Sequence, residues 1–131
     1  MNAIIHTQGK RKRAIARATL HPGTGIVKVN GQQLANCSTE MLRLRISEPL
    51  LLAGEASKSV NINVSVNGGG ANGQADAARL AIARALVQHA PGLKQTFYDY
   101  DRLLLVADVR RKETRKPNDS KARAKRQKSY R

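Results

Sequence analysis

The stretch VSVNGGGANGQADAARLAIARAL, residues 64–86, decides how this chain folds. It reads as strand, glycine loop, helix. Its strand half belongs to the longer run SVNINVSVN at 59–67, in which Val60, Ile62, Val64 and Val66 share one face and Asn61, Asn63, Ser65 and Asn67 the other. Strict alternation of this kind marks a half-buried strand, with a face of amides and one hydroxyl left to water or a ligand. The helix half predicts a helix over 75–92, rich in Ala and Leu, with Asp76 where the dipole favours an anion and Pro91-Gly92 as a stop. Leu80, Ile82, Leu86 and Val87 fall on one broad arc, while Ala78, Ala81, Ala85, Arg84 and Gln88 fall on the opposite one. Arg79 interrupts the apolar arc, and the sequence offers only snorkelling near a helix start to account for it.

Between the two halves stand Gly68, Gly69, Gly70 and Gly73. Three readings are open. The glycines can serve a tight strand-to-helix turn that needs positive φ. They can let backbone amides approach an RNA backbone, with the helix start at Gln74 to Asp76 adding its positive dipole end. They can form a nucleotide pocket. For the last, the spacing is GGGxxG instead of GxGxxG, with no acidic residue about 20 positions further on. No GK[ST] follows, which excludes a Walker-type phosphate loop.

Working outward, RAIARATL (13–20) and GIVKVNGQQL (25–34) read as a strand pair joined by the turn signal HPGT, with Asn30-Gly31 as a second turn. STEMLRLRI (38–46) predicts a helix capped by Ser38 or Thr39, with Glu40 in its first turn and Pro49 ending or kinking it. Residues 93–107 read as a third helix. The order strands, helix, strand, helix, helix predicts an α+β domain over 1–108, a small mixed sheet with helices packed on it. Residues 109–131 then form an extended basic C-terminal tail, which Pro117 and the following Asn118, Asp119 and Ser120 keep from becoming one long helix.

Charge separates the two parts. The chain of 131 residues carries a formal charge of +15. Residues 1–109 hold 13 basic and 7 acidic side chains, net +6, and residues 110–131 hold 11 and 2, net +9. Such a tail gains little from packing on its own basic domain. A polyanion removes the repulsion and releases counterions, so nucleic acid is the expected partner ahead of an anionic membrane. Lys10, Arg11, Lys12 and Arg13 follow Gly9 directly, with Arg17 close behind, and are more cations than a solvated strand edge needs. The tail cations Arg110, Arg111, Lys112, Arg115, Lys116, Lys121, Arg123, Lys125 and Arg126 are candidates for the same work. Beyond them Tyr130 beside Arg131 is suited to stacking on bases and clamping phosphates.

Other chemistry is poorly supplied. His6, His21 and His89 are scattered and form no metal-ligand spacing with Cys37, so neither a catalytic residue, a metal nor a cofactor is expected. The acids Glu40, Glu48, Glu55, Asp76, Asp99, Asp101 and Asp108 read as helix-start residues and partners for nearby Arg. A single Cys excludes an internal disulfide and suits a reducing compartment. The first residues lack the apolar stretch of a signal peptide, and the apolar runs at 50–53 and 103–107 are far too short to span a bilayer, so a cytoplasmic protein without membrane contact is expected. A small nucleotide-binding enzyme and a DNA-packaging protein remain as rivals. The first leaves the tail unexplained, and the second has no use for the glycine signature.

Those residues resemble a known family, the universal small-subunit ribosomal protein number nine, over nearly the whole chain. Its central signature is matched at Gly68, Gly69, Gly70, Gly73, Gln74, Ala77, Ala81, Ala83, Arg84, Ala85 and Leu86. Its amino-terminal pattern is matched at Gly9 to Lys12 and Ala14 to Arg17, with Arg13 where the family often has a small polar residue. EPLLLAG (48–54) and QKSYR (127–131) are similar to the archaeal and eukaryotic branch. The resemblance implies a left-handed βαβ crossover and binding to rRNA of the 3′ major domain, in the head of the small subunit, beside neighbouring head proteins. It adds Arg84, Gly68, Gly69, Gly70 and Gln74 to the rRNA-binding candidates. It also implies a tail that threads to the peptidyl site, where Lys128, Ser129, Tyr130 and Arg131 approach the anticodon loop of tRNA. Tyr130 replaces a Lys of the bacterial branch, so the contact implied there is stacking or van der Waals instead of ionic.

Overall fold

The computed structural model describes residues 3–37 and 39–129. Five strands, β1 (Ile5–Arg11), β2 (Ala14–Pro22), β3 (Val27–Val29), β4 (Gln32–Gln33) and β5 (Val60–Asn67), form one mixed sheet in the order β1-β2-β5-β3-β4. Among the described residues four helices accompany it: α1 (Glu40–Ala53), the single turn α2 (Glu55–Lys58), α3 (Ala71–His89) and α4 (Leu93–Tyr100). Short 3-10 turns sit at Leu34–Asn36 and Arg102–Leu104.

β5 is the central strand of the sheet. It pairs antiparallel with β2 and parallel with β3, and α1 and α2 make the crossover between β3 and β5. The strands read as one hairpin, 13–20 and 25–34, are therefore not neighbours: β5 lies between them. The hairpin partner of β2 is β1, whose polar sequence IHTQGKR hides its strand character. The HPGT segment is instead a loop held by β5. Asn61 Oδ1 accepts from the backbone N–H of Thr24 at 2.9 Å and of Ile26 at 3.0 Å. The turn at Asn30-Gly31 is as the sequence predicts, with φ of 51° and 83° and a two-residue connection between Val29 and Gln32. The Asn30 side chain then extends the pairing, accepting from the Val66 N–H at 2.8 Å.

The helices depart from expectation at their ends. α1 continues through Pro49 for another turn and stops at Gly54, where φ is 59°. Thr39 occupies its N-cap position without a side-chain hydrogen bond, and the alternative cap, Ser38, lies outside the described residues. α3 begins four residues earlier than the periodicity suggests, because Ala71 to Gln74 enter the helix and the Gln74 N–H donates to the Gly70 carbonyl at 2.9 Å. Asp76 consequently lies beyond the first turn. The 93–107 segment is α4 followed by a 3-10 turn, which Asp101 caps by accepting from the Leu103 N–H at 3.0 Å.

The alanine arc of α3 is not a solvent face. Ala77, Ala78, Ala81 and Ala85 are buried, as are Leu80, Ile82 and Leu86 on the other side, so the helix is enclosed almost all round. Small side chains let it lie on β1 at backbone distance. A Cβ built on Gly9 would stand 2.2 Å from the Ala77 carbonyl oxygen and 2.8 Å from the Ala81 nitrogen. Thr7 Oγ1 donates to the Ala81 carbonyl at 2.8 Å. On the far side Phe97 and Leu104, both fully buried, close the core. Arg79 joins three elements there: its Nε donates to Glu48 of α1 at 2.8 Å and its guanidinium reaches Asp101 at 3.2 Å.

Gly9→Ala is expected to cost about 1–3 kcal/mol, the range for overpacking a site that cannot yield. Urea unfolding followed by circular dichroism measures it, and a loss below a few tenths would mean that α3 can lift from β1 at no cost.

Candidate nucleic-acid interface

The β1–β2 hairpin closes through Lys12 and Arg13, with Lys12 at φ 54°. The glycine loop packs directly beneath this tip. Gly68 and Gly69 have φ of 77° and 66°, and Cβ atoms on them would lie 2.7 Å from the Arg13 carbonyl oxygen and 3.0 Å from the Ala14 nitrogen. Gln74 Nε2 donates to the Gly68 carbonyl at 3.1 Å and holds the loop's shape. Of the three readings of the glycines, the strand-to-helix turn is the one this geometry exhibits at Gly68 and Gly69. Gly70 is different, since a Cβ there would meet nothing within 4 Å. The packing brings the N-terminus of α3, at N-cap Gly70, to the same end of the molecule as the hairpin cations.

Not all of those cations are available. Arg11 is paired with Asp108 and lies 3.7 Å from Asp76, which also takes Arg45 at 3.2 Å. Asp108 in turn accepts from the Arg110 guanidinium at 2.7 Å and from the Arg110 backbone N–H at 2.9 Å. The side-chain and backbone bonds from Arg110, with the charge of Arg11 behind them, hold the Asp108 carboxyl far below the usual carboxylate range, and the Arg110 guanidinium is raised in return. Asp108 thus fastens the root of the tail to the hairpin. Arg84 is a strap of another kind, donating to the Gln8 carbonyl at 2.9 Å and the Leu105 carbonyl at 3.2 Å. Six of the predicted phosphate ligands have partners within the chain: Arg11, Arg84 and Arg110 here, and Lys116, Arg123 and Lys125 in the tail.

The others face solvent. Lys10, Lys12, Arg13 and Arg17 are exposed and take part in no ion pair among the described residues. Residues 105–129 carry no helix or strand. The tail turns at Lys116 to Asp119, where Asn118 has φ 67° and supplies the bend that the sequence lacks a glycine for. It folds back through weak, exposed pairs of Glu113 with Arg123 at 2.8 Å and Lys116 at 3.6 Å, and of Asp119 with Lys125 at 3.6 Å. Arg111, Lys112, Arg115, Lys121, Arg126 and Lys128 are exposed without an ion-pair partner among the described residues, and Ser129 is exposed beside them. Tyr130 and Arg131 lie outside the described residues. Lys28, exposed on β3 and likewise unpaired, escapes a reading based on charge runs because it stands alone between Val27 and Val29.

No group of three or more His, Cys, Asp and Glu stands together as a metal site among the described residues. No helix among them is long and apolar enough to cross a membrane.

Comparison with known proteins decides the family. The profile of the family described as ribosomal protein S9/S16 matches residues 9–131. The chain belongs to that family. It is 48% identical over 130 residues to small ribosomal subunit protein uS9 of Pyrobaculum aerophilum, covering 98% of this chain and 92% of that protein. It is 44% identical over 132 residues to uS9 of Methanococcus maripaludis, covering 98% of each. The family resemblance of the glycine signature, the GKRK tip and the QKSYR ending is thereby established as membership, with archaeal relatives.

Because the folded-state pKa of Asp108 is depressed, its pairing contributes stability that is complete above the unfolded carboxylate range, near pH 4, and is lost as pH falls below that range. Asp108→Asn should remove this part of the acid dependence and leave stability near neutrality lower than wild type. Thermal unfolding of both proteins at a series of pH values measures the difference, and parallel curves would mean that the clamp is not formed in solution.

Proposed function

We propose that this chain is a structural constituent of the small ribosomal subunit that binds rRNA in the subunit head and carries its tail toward peptidyl-site tRNA. Membership of the S9/S16 family makes it a ribosomal protein of the small subunit and not an enzyme. The finer statement has its support in how the charges are arranged. The hairpin, with Lys12 and Arg13 unpaired at its tip and Lys10 and Arg17 unpaired along its strands, has that tip over the glycine loop and the α3 N-terminus, ready to take phosphates. In this reading Gly70 leaves room for a backbone to approach, while Gly68, Gly69 and Gln74 build the loop that presents it.

The division of labour falls at 108/109. Residues 1–108 supply the fold and the docking cations, and 109–131 are the arm. Arg11, Arg84 and Arg110 serve indirectly, by fixing the hairpin and the root of the tail, and Asp108 releases neither unless a phosphate replaces it. The exposed pairs within the tail are worth little in water and are exchanged for phosphates on binding. Lys128, Ser129, Tyr130 and Arg131 are the residues proposed to meet the anticodon loop, through phosphate contact and through stacking by Tyr130.

Two outcomes follow. Binding of the purified protein to small-subunit rRNA should weaken steeply with salt. If about eight cations replace counterions, the log–log slope is about −6 to −7, and a slope near zero would defeat the electrostatic account. Deleting Ser129 to Arg131 should leave subunit assembly nearly intact and weaken tRNA occupancy of the peptidyl site. Filter binding of tRNA to reconstituted subunits checks this, and equal affinity in truncated and intact subunits would remove the tail from the tRNA contact.

A further inference from the structure

The sheet has one face covered by α3, on which α1 and α4 pack in turn, and one face open. The residues on the open face are fixed by register. One row crosses all five strands, from His6 through Thr19, Asn63 and Lys28 to Gln33. The next holds Gln8, Arg17 and Ser65, and a third Lys10, Ile15 and Asn67. Asn61 is spent on the loop that follows β2, but Asn63, Ser65 and Asn67 are exposed, and so are Lys10, Arg17 and Lys28. The chain's nine carboxylates are all elsewhere, in the helices, in their connections and in the tail, and none lies in a strand. The open face therefore combines three unpaired cations with a grid of amides and hydroxyls. Neighbouring positions are about 4.8 Å apart across strands and about 6.7 Å along them.

We propose that this open sheet face is a second RNA-docking surface, distinct from the hairpin tip and the tail, on which Lys10, Arg17 and Lys28 take phosphates and Asn63, Ser65 and Asn67 take ribose 2′-hydroxyls. The inference rests on the rRNA reading above. Charge selects the occupant. An acid-free face with three lysine or arginine side chains suits a polyanion, and a protein neighbour would have to bring an excess of its own carboxylates. Amide and hydroxyl side chains both donate and accept, as the 2′-hydroxyl does, so this face favours RNA over DNA, whereas cations alone would not. A broad sheet face also matches the wide, shallow minor groove of an A-form helix better than it matches a deep groove.

The test uses the full chain and a transcript of small-subunit rRNA. The pair Arg17→Gln and Lys28→Gln should lower the steepness of the salt dependence by about 1.5, since each phosphate contact contributes roughly 0.7–0.9. The pair Asn63→Ala and Ser65→Ala should leave that slope unchanged. It should instead erase a subset of the transcript positions at which 2′-deoxy substitution interferes with binding of the wild type. All these positions are exposed, so circular dichroism should show the variants folded. A wild-type slope and an unchanged interference map, alongside weaker binding by Lys12→Gln with Arg13→Gln, would overturn the sheet-face proposal and leave the rRNA reading standing. Normal RNA binding with failure of the sheet variants to enter reconstituted subunits would assign the face to a protein neighbour and overturn it as well. A wild type that does not prefer this transcript to an unrelated RNA would overturn the rRNA reading itself.

Discussion

Everything in this molecule depends on how closely α3 lies against β1. At Gly9 the helix backbone occupies the space a side chain would need, and Ala77 and Ala81 are small for the same reason. That proximity places the Thr7 hydroxyl on the Ala81 carbonyl and lets Arg84 reach the Gln8 carbonyl across the edge of the sheet. It also fixes where the helix begins. With α3 seated on β1 and β2, its first turn must start under the hairpin, and the chain coming from β5 has only Gly68 and Gly69 in which to reverse. Both glycines meet the backbone of Arg13 and Ala14, so the turn, the hairpin tip and the helix start form one rigid corner.

Electrostatics then sorts the cations by where the carboxylates stand. Asp76 and Asp108 pair with Arg11, Arg45 and Arg110, and Glu48 and Asp101 pair with Arg79. Arg79 is only 12% exposed, and without those two acids it would be an unpaired charge inside the helix layer. Among the described residues, most cations left without an ion pair are displayed on the hairpin tip, on the open sheet face and along the tail, with Lys94 and Arg102 exposed on α4 and in the 3-10 turn after it. A strongly basic protein with its acids confined to the helix layer, its connections and the tail has solved two problems at once. The helix layer is held by ion pairs, and the surfaces left for a polyanion carry almost no competing negative charge.

Much of this was legible in the sequence, and the exceptions have physical causes. β5 and the glycine loop could be read because alternation and positive-φ demand leave a direct mark on residue type. β1 could not, since an edge strand with one face open to solvent needs few apolar residues, and of its inward positions only Ile5 is hydrophobic, Thr7 and Gly9 being chosen for closeness and Arg11 for its ion pairs. The strand order was hidden for a related reason. HPGT looks like a hairpin turn, but the pairing of β2 with β5 is long-range and leaves no local signal. Pro49 failed as a stop because its neighbours, Ile46 on one side and Ala53 on the other, bury against the core and carry α1 through it. For the site, runs of cations were visible, but which of them were already neutralised was not. Arg11 and Arg13 are two residues apart and differ only in which carboxylates the fold brings near.

The tail is the remaining step. Fixing its backbone costs about 1–2 kcal/mol per residue, and the exposed pairs of Glu113, Lys116, Arg123, Asp119 and Lys125 are too weak to meet that cost in water. The fold therefore spends its strong contacts at the root alone. Asp108, 12% exposed and held by Arg11 and Arg110, sets the direction in which residue 109 leaves the corner, and nothing comparable follows it among the described residues. An arm built this way has a defined origin and an undefined course. It can be threaded along whatever polyanion surrounds it, because phosphates exchange for its weak internal pairs one at a time, while the clamp at Asp108 keeps the origin in register with the docked domain. In the proposed function the free energy of ordering would be supplied where the walls are, by counterions released from RNA, and the globular part would contribute only the position from which the arm starts.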